Sequence, residues 1–319
     1  MRNISSIIKD KQWPLMVQRN VGKVVLCFPG QLNKVPEALG GKERGGGDRL
    51  SHAFFEKGWE LAGFDLASFF FQDEGEDRSL ALKLQVASYL LSMVSFDRYQ
   101  KKGGTWDFIA EHSMGIYAAL AAADAITFEQ GLAITKGIGL IVEKAGEQDP
   151  GGMAAVIGLT SQTIRQICAD VDGPLYVANV NGSRQFVLSG DAKALEQGIA
   201  LSMQQGAISA QRLPFTTPLH SPLMEPIADT VRRFLADFEI RPPRTPLISH
   251  WSGRPLQDHD EIKEFLAAEL YKPVDWEGCV QYLLSQEVTC FIEMGAHNSL
   301  TKLIRWIDRD VKALSYGVA

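Results

Sequence analysis

Ser113 is the residue around which a reaction is easiest to build. It follows the short apolar run Phe108-Ile109-Ala110 and precedes Gly115 and the alanine-rich stretch Ala118 to Ala123, an order that reads as strand, tight turn, helix. Such a turn holds the serine Oγ clear of the sheet. The backbone N–H of Met114, at the N-terminus of the new helix, then points to where a thioester or ester oxygen becomes negative. This is the layout of a nucleophile elbow. The usual pattern, G-x-S-x-G, has a glycine two residues before the serine, and here that position is Glu111. A side chain there either crowds the turn or places a carboxylate near the serine. An S-x-G pattern is also met by a serine that only caps a helix.

A serine nucleophile needs a base. Six histidines are available, His52, His112, His220, His250, His259 and His297, and their spacing is not that of a metal site. His112 neighbours the serine in sequence, so its side chain points away from it and is expected to line a pocket or support the turn. His259 lies in the charged run Asp258-His259-Asp260, read as a solvated loop, and His52, His250 and His297 carry no local signal beyond ordinary surface or core roles. His220 differs because Pro218 and Pro222 fix the backbone around it. A rigid loop is a suitable place for a base.

The elements that must position these residues follow from periodicity. Val24 to Phe28 is a continuous run of β-formers ended by Pro29-Gly30, as in a buried parallel strand. Leu80 to Tyr99 has helical spacing and includes Gln85, and a second helix is expected over Phe128 to Ala145. Together with the elbow strand these give an α/β core. From Gly151 the order changes to strand, helix, strand, strand, helix, strand, ending near Leu213. That βαββαβ order is the ferredoxin-like split βαβ unit, inserted into the larger body. Strands at Leu247 to His250 and Thr289 to Met294 and helices after Pro226, Trp276 and Ser299 complete the chain. The glycine- and charge-rich segment Gly40 to Arg49 lacks the spacing of a phosphate-binding loop and is read as a surface loop.

The 319 residues, 45% hydrophobic and 22% charged, suit one large core or two unequal ones. A net charge of −6 without a basic face argues against general nucleic-acid binding. Cys27, Cys168, Cys279 and Cys290 are scattered, with neither a zinc pattern nor a disulfide framework, and read as reduced thiols. Met1 to Arg19 has neither the apolar core of a signal peptide nor a spanning run. A cytoplasmic enzyme or binding protein is expected, with no membrane partner and no metal.

These residues together resemble the malonyl-CoA:acyl carrier protein transacylases and the acyltransferase domains of polyketide synthases. The resemblance covers nearly all of the chain beyond residue 23. It rests on Phe28-Pro29-Gly30-Gln31, His112-Ser113-Met114-Gly115, Gly152-Met153-Ala154-Ala155, Asn179-Val180-Asn181-Gly182, His220-Ser221-Pro222-Leu223-Met224, Tyr271 to Trp276 and Phe291-Ile292-Glu293-Met294-Gly295. It implies an α/β-hydrolase-like large domain over residues 1–148 and 215–319, with a ferredoxin-like small domain over 149–214 and the active site in the cleft between them. It implies that Ser113 attacks a thioester and His220 takes its proton, with the N–H groups of Gln31 and Met114 as oxyanion hole. The histidine would be oriented by a main-chain carbonyl, that of Glu269. Gln85, His112, Asn181 and Leu219 match pocket positions. No cofactor is implied, coenzyme A or phosphopantetheine thioesters being substrates, and the implied partners of an expected monomer are acyl-CoA and an acyl carrier protein. Arg184, Arg212, Lys302 and Arg305 are the cations expected to receive an acidic carrier.

One departure bears on substrate. Malonyl-type members of that family place an arginine about twenty-five residues beyond the serine, and an ungapped count reaches Ile138, followed by Gly139. An isoleucine cannot offset the desolvation of a carboxylate, which costs several kcal/mol without a charged partner. Lys136, two residues away on the helix, faces elsewhere. A neutral acyl group is therefore expected in place of malonyl. The alternatives are a hydrolase that removes acyl groups from carrier proteins with the same Ser–His pair, to which Glu111 could contribute by activating water, and a non-catalytic carrier-docking protein.

Overall fold

The computed structural model describes residues 22–32, 58–63 and 80–317. The Gly40 to Arg49 segment, the first nineteen residues and His52 lie outside them. A six-stranded sheet has the order β11-β10-β1-β2-β7-β8, from β1 (Lys23–Phe28), β2 (Phe108–Glu111), β7 (Leu247–Ile248), β8 (Pro255–Leu256), β10 (Val288–Met294) and β11 (Lys312–Tyr316). All its pairings are parallel except β7 with β8. β1 shows why a parallel centre needs an unbroken apolar strand. Val24, Leu26 and Phe28 enter the core on one face, and Val25 and Cys27 enter the core on the other. The helices α1 (Leu80–Lys101), α2 (Gly115–Ala122) and α3 (Phe128–Gln148) contribute to the first of these cores. α3 starts where Thr127 and Gln130 close a capping box, each side chain accepting from the other's backbone N–H at 3.1 and 2.8 Å.

A second sheet, of order β6-β3-β5-β4-β9, contains the inserted unit. β3 (Gly151–Ile157), α4 (Ser161–Asp170), β4 (Leu175–Gly182), β5 (Gln185–Asp191), α5 (Ala192–Gln204) and β6 (Ser209–Arg212) follow in the expected βαββαβ order. Its strands pair antiparallel, and Thr160 and Asp191 cap its two helices. β9 (Val274–Asp275) joins this sheet from much later in the chain, parallel to β4 through Asn179↔Val274 and Val180↔Asp275. The run Tyr271 to Trp276 thus stitches the two sheets together and leads directly into α8 (Trp276–Ser285).

Besides the two-residue strands β8 and β9, two elements were not anticipated. The charged run at Asp258 is a helix start instead of a loop: Asp258 Oδ1 accepts the Glu261 N–H at 2.9 Å and caps α7 (His259–Ala268). His259 is exposed on its first turn, while Ile262, Phe265 and Leu266 are buried. The second is β11, an edge strand beside β10. The remaining helices are α6 (Ala228–Leu235), reached through a 3-10 turn at Pro222–Ile227, and α9 (Ser299–Ile307).

Candidate active site

β2 ends at Glu111 and α2 begins at Gly115, so Ser113 occupies the turn between them. Its φ is +56°, in the left-handed region that a side chain normally avoids. Gly115 explains how close the turn lies to β1: a Cβ there would stand 2.2 Å from the Phe28 carbonyl oxygen. On the other side, a Cβ on Gly30 would lie 3.6 Å from the Ser113 Cβ, which puts Gln31 one residue from the serine's surroundings. Gln31 is held by its side chain, which donates to Ala81 O at 3.2 Å, and its neighbour Leu32 donates its N–H to Ser88 Oγ at 2.9 Å. Among the described residues neither the Gln31 nor the Met114 backbone N–H has a protein acceptor.

His220 reaches Ser113 from the segment that leaves the second sheet. Its Nε2 is 2.7 Å from Ser113 Oγ, and its Nδ1 is 2.8 Å from Glu269 O and 3.2 Å from Lys272 O. A carbonyl can only accept, so Nδ1 carries the hydrogen. Nε2 is then the lone-pair nitrogen facing the serine hydroxyl. The backbone is clamped as well, with φ +57° and the His220 N–H donating to Leu270 O at 2.7 Å. Burial pushes the imidazole down to about 3; the neighbouring His250 lowers it further, and the hydrogen bond to the Glu269 carbonyl works the other way. The ring is therefore neutral at physiological pH, the form that accepts a proton.

The other anticipated residues are placed as follows. His112 Nε2 donates to Asn181 Oδ1 at 2.9 Å, tying the elbow to the end of β4, and its ring packs edge-on to Trp276 at 5.8 Å. Leu219 packs against both the main core and the small cluster of Met153, Ala178 and Val187. Ile138 is 2% exposed in the main core. It neighbours Gly139, where a Cβ would lie 2.4 Å from Gln85 Oε1, so Gln85 and Ile138 belong to the same α1–α3 contact. Lys136 is committed elsewhere, donating to Ala62 O at 2.6 Å. Of the expected docking cations, Lys302 is exposed on α9, Arg305 donates to Ala313 O and Arg184 donates to Gly158 O. α9 meets the end of β4, where a Cβ on Gly182 would lie 3.8 Å from Ile307, so these three border one junction. Arg212 pairs with Glu196 at 2.7 Å on β6, at the other edge of the second sheet from β4 and β9.

Sequence reasoning overlooked His250 and the Glu269 side chain. Glu111 does not strain the turn; the left-handed residue is Ser113. The Glu111 carboxyl is fully buried and binds His250, with Oε2 2.6 Å from Nδ1 and Oε1 accepting the His250 N–H at 3.2 Å. Burial pushes the Glu269 carboxyl up to about 8, the neighbouring Glu111 adds to the rise and the Ser113 hydroxyl opposes it. Glu269 thus offers its carbonyl to the histidine and its carboxyl to the serine's vicinity. The signal available was Glu111 itself, a buried-strand acid that demanded a partner.

Among the described residues there is no cluster of metal-ligating side chains, and no helix is long and apolar enough to cross a membrane. The family model "acyl transferase domain" matches residues 57–313. The malonyl CoA-acyl carrier protein transacylase of Bacillus subtilis strain 168 is 31% identical over 299 residues, covering 92% of this chain and 93% of that protein. The polyketide biosynthesis protein ThaF of Burkholderia thailandensis is 32% identical over 297 residues, covering 91% of this chain but 25% of that larger protein. Among solved structures, the malonyl CoA-acyl carrier protein transacylase of Coxiella burnetii superposes with a TM-score of 0.84 at 27% identity, covering 93% and 95% of the two chains. A malonyl-transacylase solved with its type II polyketide synthase acyl-carrier protein gives 0.82 at 26%, covering 92% and 94%. By that family model and these relatives the chain belongs to the acyl transferase domain family of the malonyl-CoA:acyl carrier protein transacylases and polyketide synthase acyltransferases, and is an acyltransferase.

Proposed function

We propose that this chain moves a neutral acyl group from a coenzyme A or carrier thioester to the phosphopantetheine thiol of an acyl carrier protein, through an ester on Ser113. The observation that carries this reading is the 2.7 Å contact from Ser113 Oγ to a His220 whose Nδ1 is tied to two carbonyls. His220 Nε2 takes the serine proton as Oγ attacks the thioester carbon. The tetrahedral oxyanion is received by the N–H groups of Gln31 and Met114, each such donor worth roughly 3 kcal/mol to the transition state. Collapse expels the thiolate, which takes the proton back from His220. The second half repeats these steps with the carrier thiol as nucleophile, and Ser113 leaves with the proton.

Ile138 is the reason for a neutral acyl group. It is 2% exposed, and Lys136 is turned toward Ala62, so neither residue offers a charge to a malonyl carboxylate. Gln85, His112, Asn181 and Leu219 form the rest of the pocket. Carrier docking at Arg184, Lys302 and Arg305 weakens as salt rises. The protein works as a cytoplasmic monomer and holds no cofactor of its own.

Hydrolysis of the acyl-serine is the second reading, favoured by one observation: the neutral His220 Nε2, 2.7 Å from Ser113 Oγ, can take a proton from water as well as from a thiol. Glu111, engaged by His250 through both oxygens, is not available to draw a proton from water. The test is the intact mass of the protein after exposure to neutral acyl-CoA and malonyl-CoA donors, with Ser113→Ala alongside. Transfer predicts a lasting adduct from neutral donors, absent in the mutant and discharged by carrier protein. Decay in buffer alone would favour hydrolysis, and a malonyl adduct would overturn the role given to Ile138.

A further inference from the structure

The Glu111–His250 pair lies directly behind the Ser–His dyad and the chemistry above makes no use of it. Glu111 ends β2 two residues before Ser113, and His250 follows β7, the strand paired to β2 through Ile109↔Leu247 and Ala110↔Ile248. Both side chains are 0% exposed. The 2.6 Å contact between Oε2 and Nδ1 must contain a proton, because a carboxylate oxygen against a bare ring nitrogen would set lone pair on lone pair. Glu111 Oε1 also accepts the His250 N–H, and the His250 carbonyl accepts the Asp275 N–H at 2.8 Å. The residue is therefore held at three points, its ring at Nδ1 and its backbone at the N–H and the carbonyl. It then presents itself to His220 at a centroid distance of 6.3 Å and an interplanar angle of 88°, with Phe265 on it at 5.2 Å.

Fold stability alone gives no reason to keep this pair. A buried acid–base pair is commonly no better than apolar residues of the same volume, and here His250 Nε2 is buried with no partner among the described residues. Leaving such an atom unpaired is costly. What the pair does supply is a rigid wall for one ring: His220, whose two nitrogens must hold Ser113 and the Glu269 carbonyl at once.

We infer that Glu111 and His250 form a positioning unit for His220: Glu111 locks the His250 ring, and that ring holds His220 in the plane from which Nε2 reaches Ser113. The inference rests on the acyl-transfer reading only in taking Ser113 as the nucleophile. Misalignment by a fraction of an ångström at such a contact slows the chemical step without weakening ground-state binding.

The test measures the rate at which a fluorophosphonate probe labels Ser113, counted per labelled site so that misfolded protein does not contribute. This reads the dyad whatever the natural acyl donor is. Glu111→Ala is expected to slow labelling at least tenfold. Glu111→Gln, whose carboxamide can donate to Nδ1 and accept the His250 N–H, should stay within about threefold of wild type. His250→Asn should fall as far as Glu111→Ala and carries the same test if the alanine variant does not fold. The double variant Glu111→Ala/His250→Asn should be no slower than either alone, the mark of residues acting as one unit. With a donor that acylates the wild type, kcat should drop while KM stays within twofold. Unchanged labelling per site with only a lower melting temperature would reduce the pair to a structural support and overturn the inference, as would Glu111→Gln failing to restore the rate. No acyl adduct from any donor, with labelling behaving as expected, would overturn the acyl-transfer reading and leave the positioning unit standing.

Discussion

Ser113 and His220 are 107 residues apart in sequence, meet at 2.7 Å, and each does so from a left-handed backbone, with φ of +56° and +57°. A non-glycine residue in that region costs on the order of 1 kcal/mol or more. The strain is tolerated because the turn between β2 and α2 and the loop bound to Leu270 O over-determine both residues.

Strain of this kind separates stability from activity at Ser113. Ser113→Ala and Ser113→Gly are both expected to lose the acyl-enzyme entirely in intact-mass measurements. Only glycine relieves the left-handed backbone, and after allowing for its freer unfolded chain the net gain is roughly 0.5–1 kcal/mol. Thermal denaturation should place Ser113→Gly above Ser113→Ala by a degree or two. Equal midpoints would mean that the turn is not strained.

Ile138 is where selectivity for the acyl group should change. Ile138→Arg puts a guanidinium at the position from which a malonyl carboxylate can be paired. The ratio of kcat/KM for malonyl-CoA over a neutral acyl-CoA is expected to rise at least tenfold. Part of that change comes from loss of the neutral donor, since the charge enters a site that is now apolar. A ratio that does not move would show that Ile138 does not line the acyl pocket.

Much of this architecture was legible in the chain because its signals are local. The unbroken run Val24 to Phe28, the βαββαβ spacing after Gly151 and the helical spacing over Phe128 to Ala145 each depend on residues close in sequence. So does the Ser113 turn, and Pro218 and Pro222 singled out His220 among six histidines. His250 was passed over because its partner, Glu111, is 139 residues away, and no spacing rule connects them. β11 was missed because an edge strand with one covered side carries a weak apolar pattern. Asp258-His259-Asp260 looked like a solvated loop because the acids of a helix cap and first turn are indistinguishable from loop charges until Ile262 and Phe265 are counted with them.

Gly115 tests how tightly the elbow lies on β1. A Cβ at this position would be 2.2 Å from Phe28 O and 2.9 Å from Pro29 O, both backbone atoms that cannot rotate away. Gly115→Ala must therefore push the turn off the strand. A loss of about 2–4 kcal/mol is expected in denaturant unfolding, together with slower acylation, because the Met114 N–H moves with the turn. Gly103→Ala is a control in open space, although its φ of +76° carries its own backbone cost of about 1 kcal/mol. A Gly115→Ala variant no less stable than that control would contradict the close approach.

Glu269 links the site to the pH dependence of stability. Its carboxyl is pushed up to about 8 by burial and by Glu111, so the folded protein keeps a proton that the unfolded chain releases near its ordinary value of about 4.3. Between those two values the unfolded state binds fewer protons, and this group's contribution to stability falls as pH rises. The buried, neutral histidines act in the opposite sense: His112 is held down to about 4 and His220 to about 3, so they disfavour the folded state as pH drops below about 6.5. Glu269→Gln removes the first effect and leaves the second untouched, since the carbonyl that anchors His220 belongs to the backbone. The variant should melt near wild type at about pH 4 and progressively above it toward pH 8.5, with the gap levelling off once the wild-type carboxyl has ionised. A gap that is constant with pH would mean that Glu269 is already charged in the folded protein, and that Ser113 has a carboxylate, not a carboxylic acid, for a neighbour.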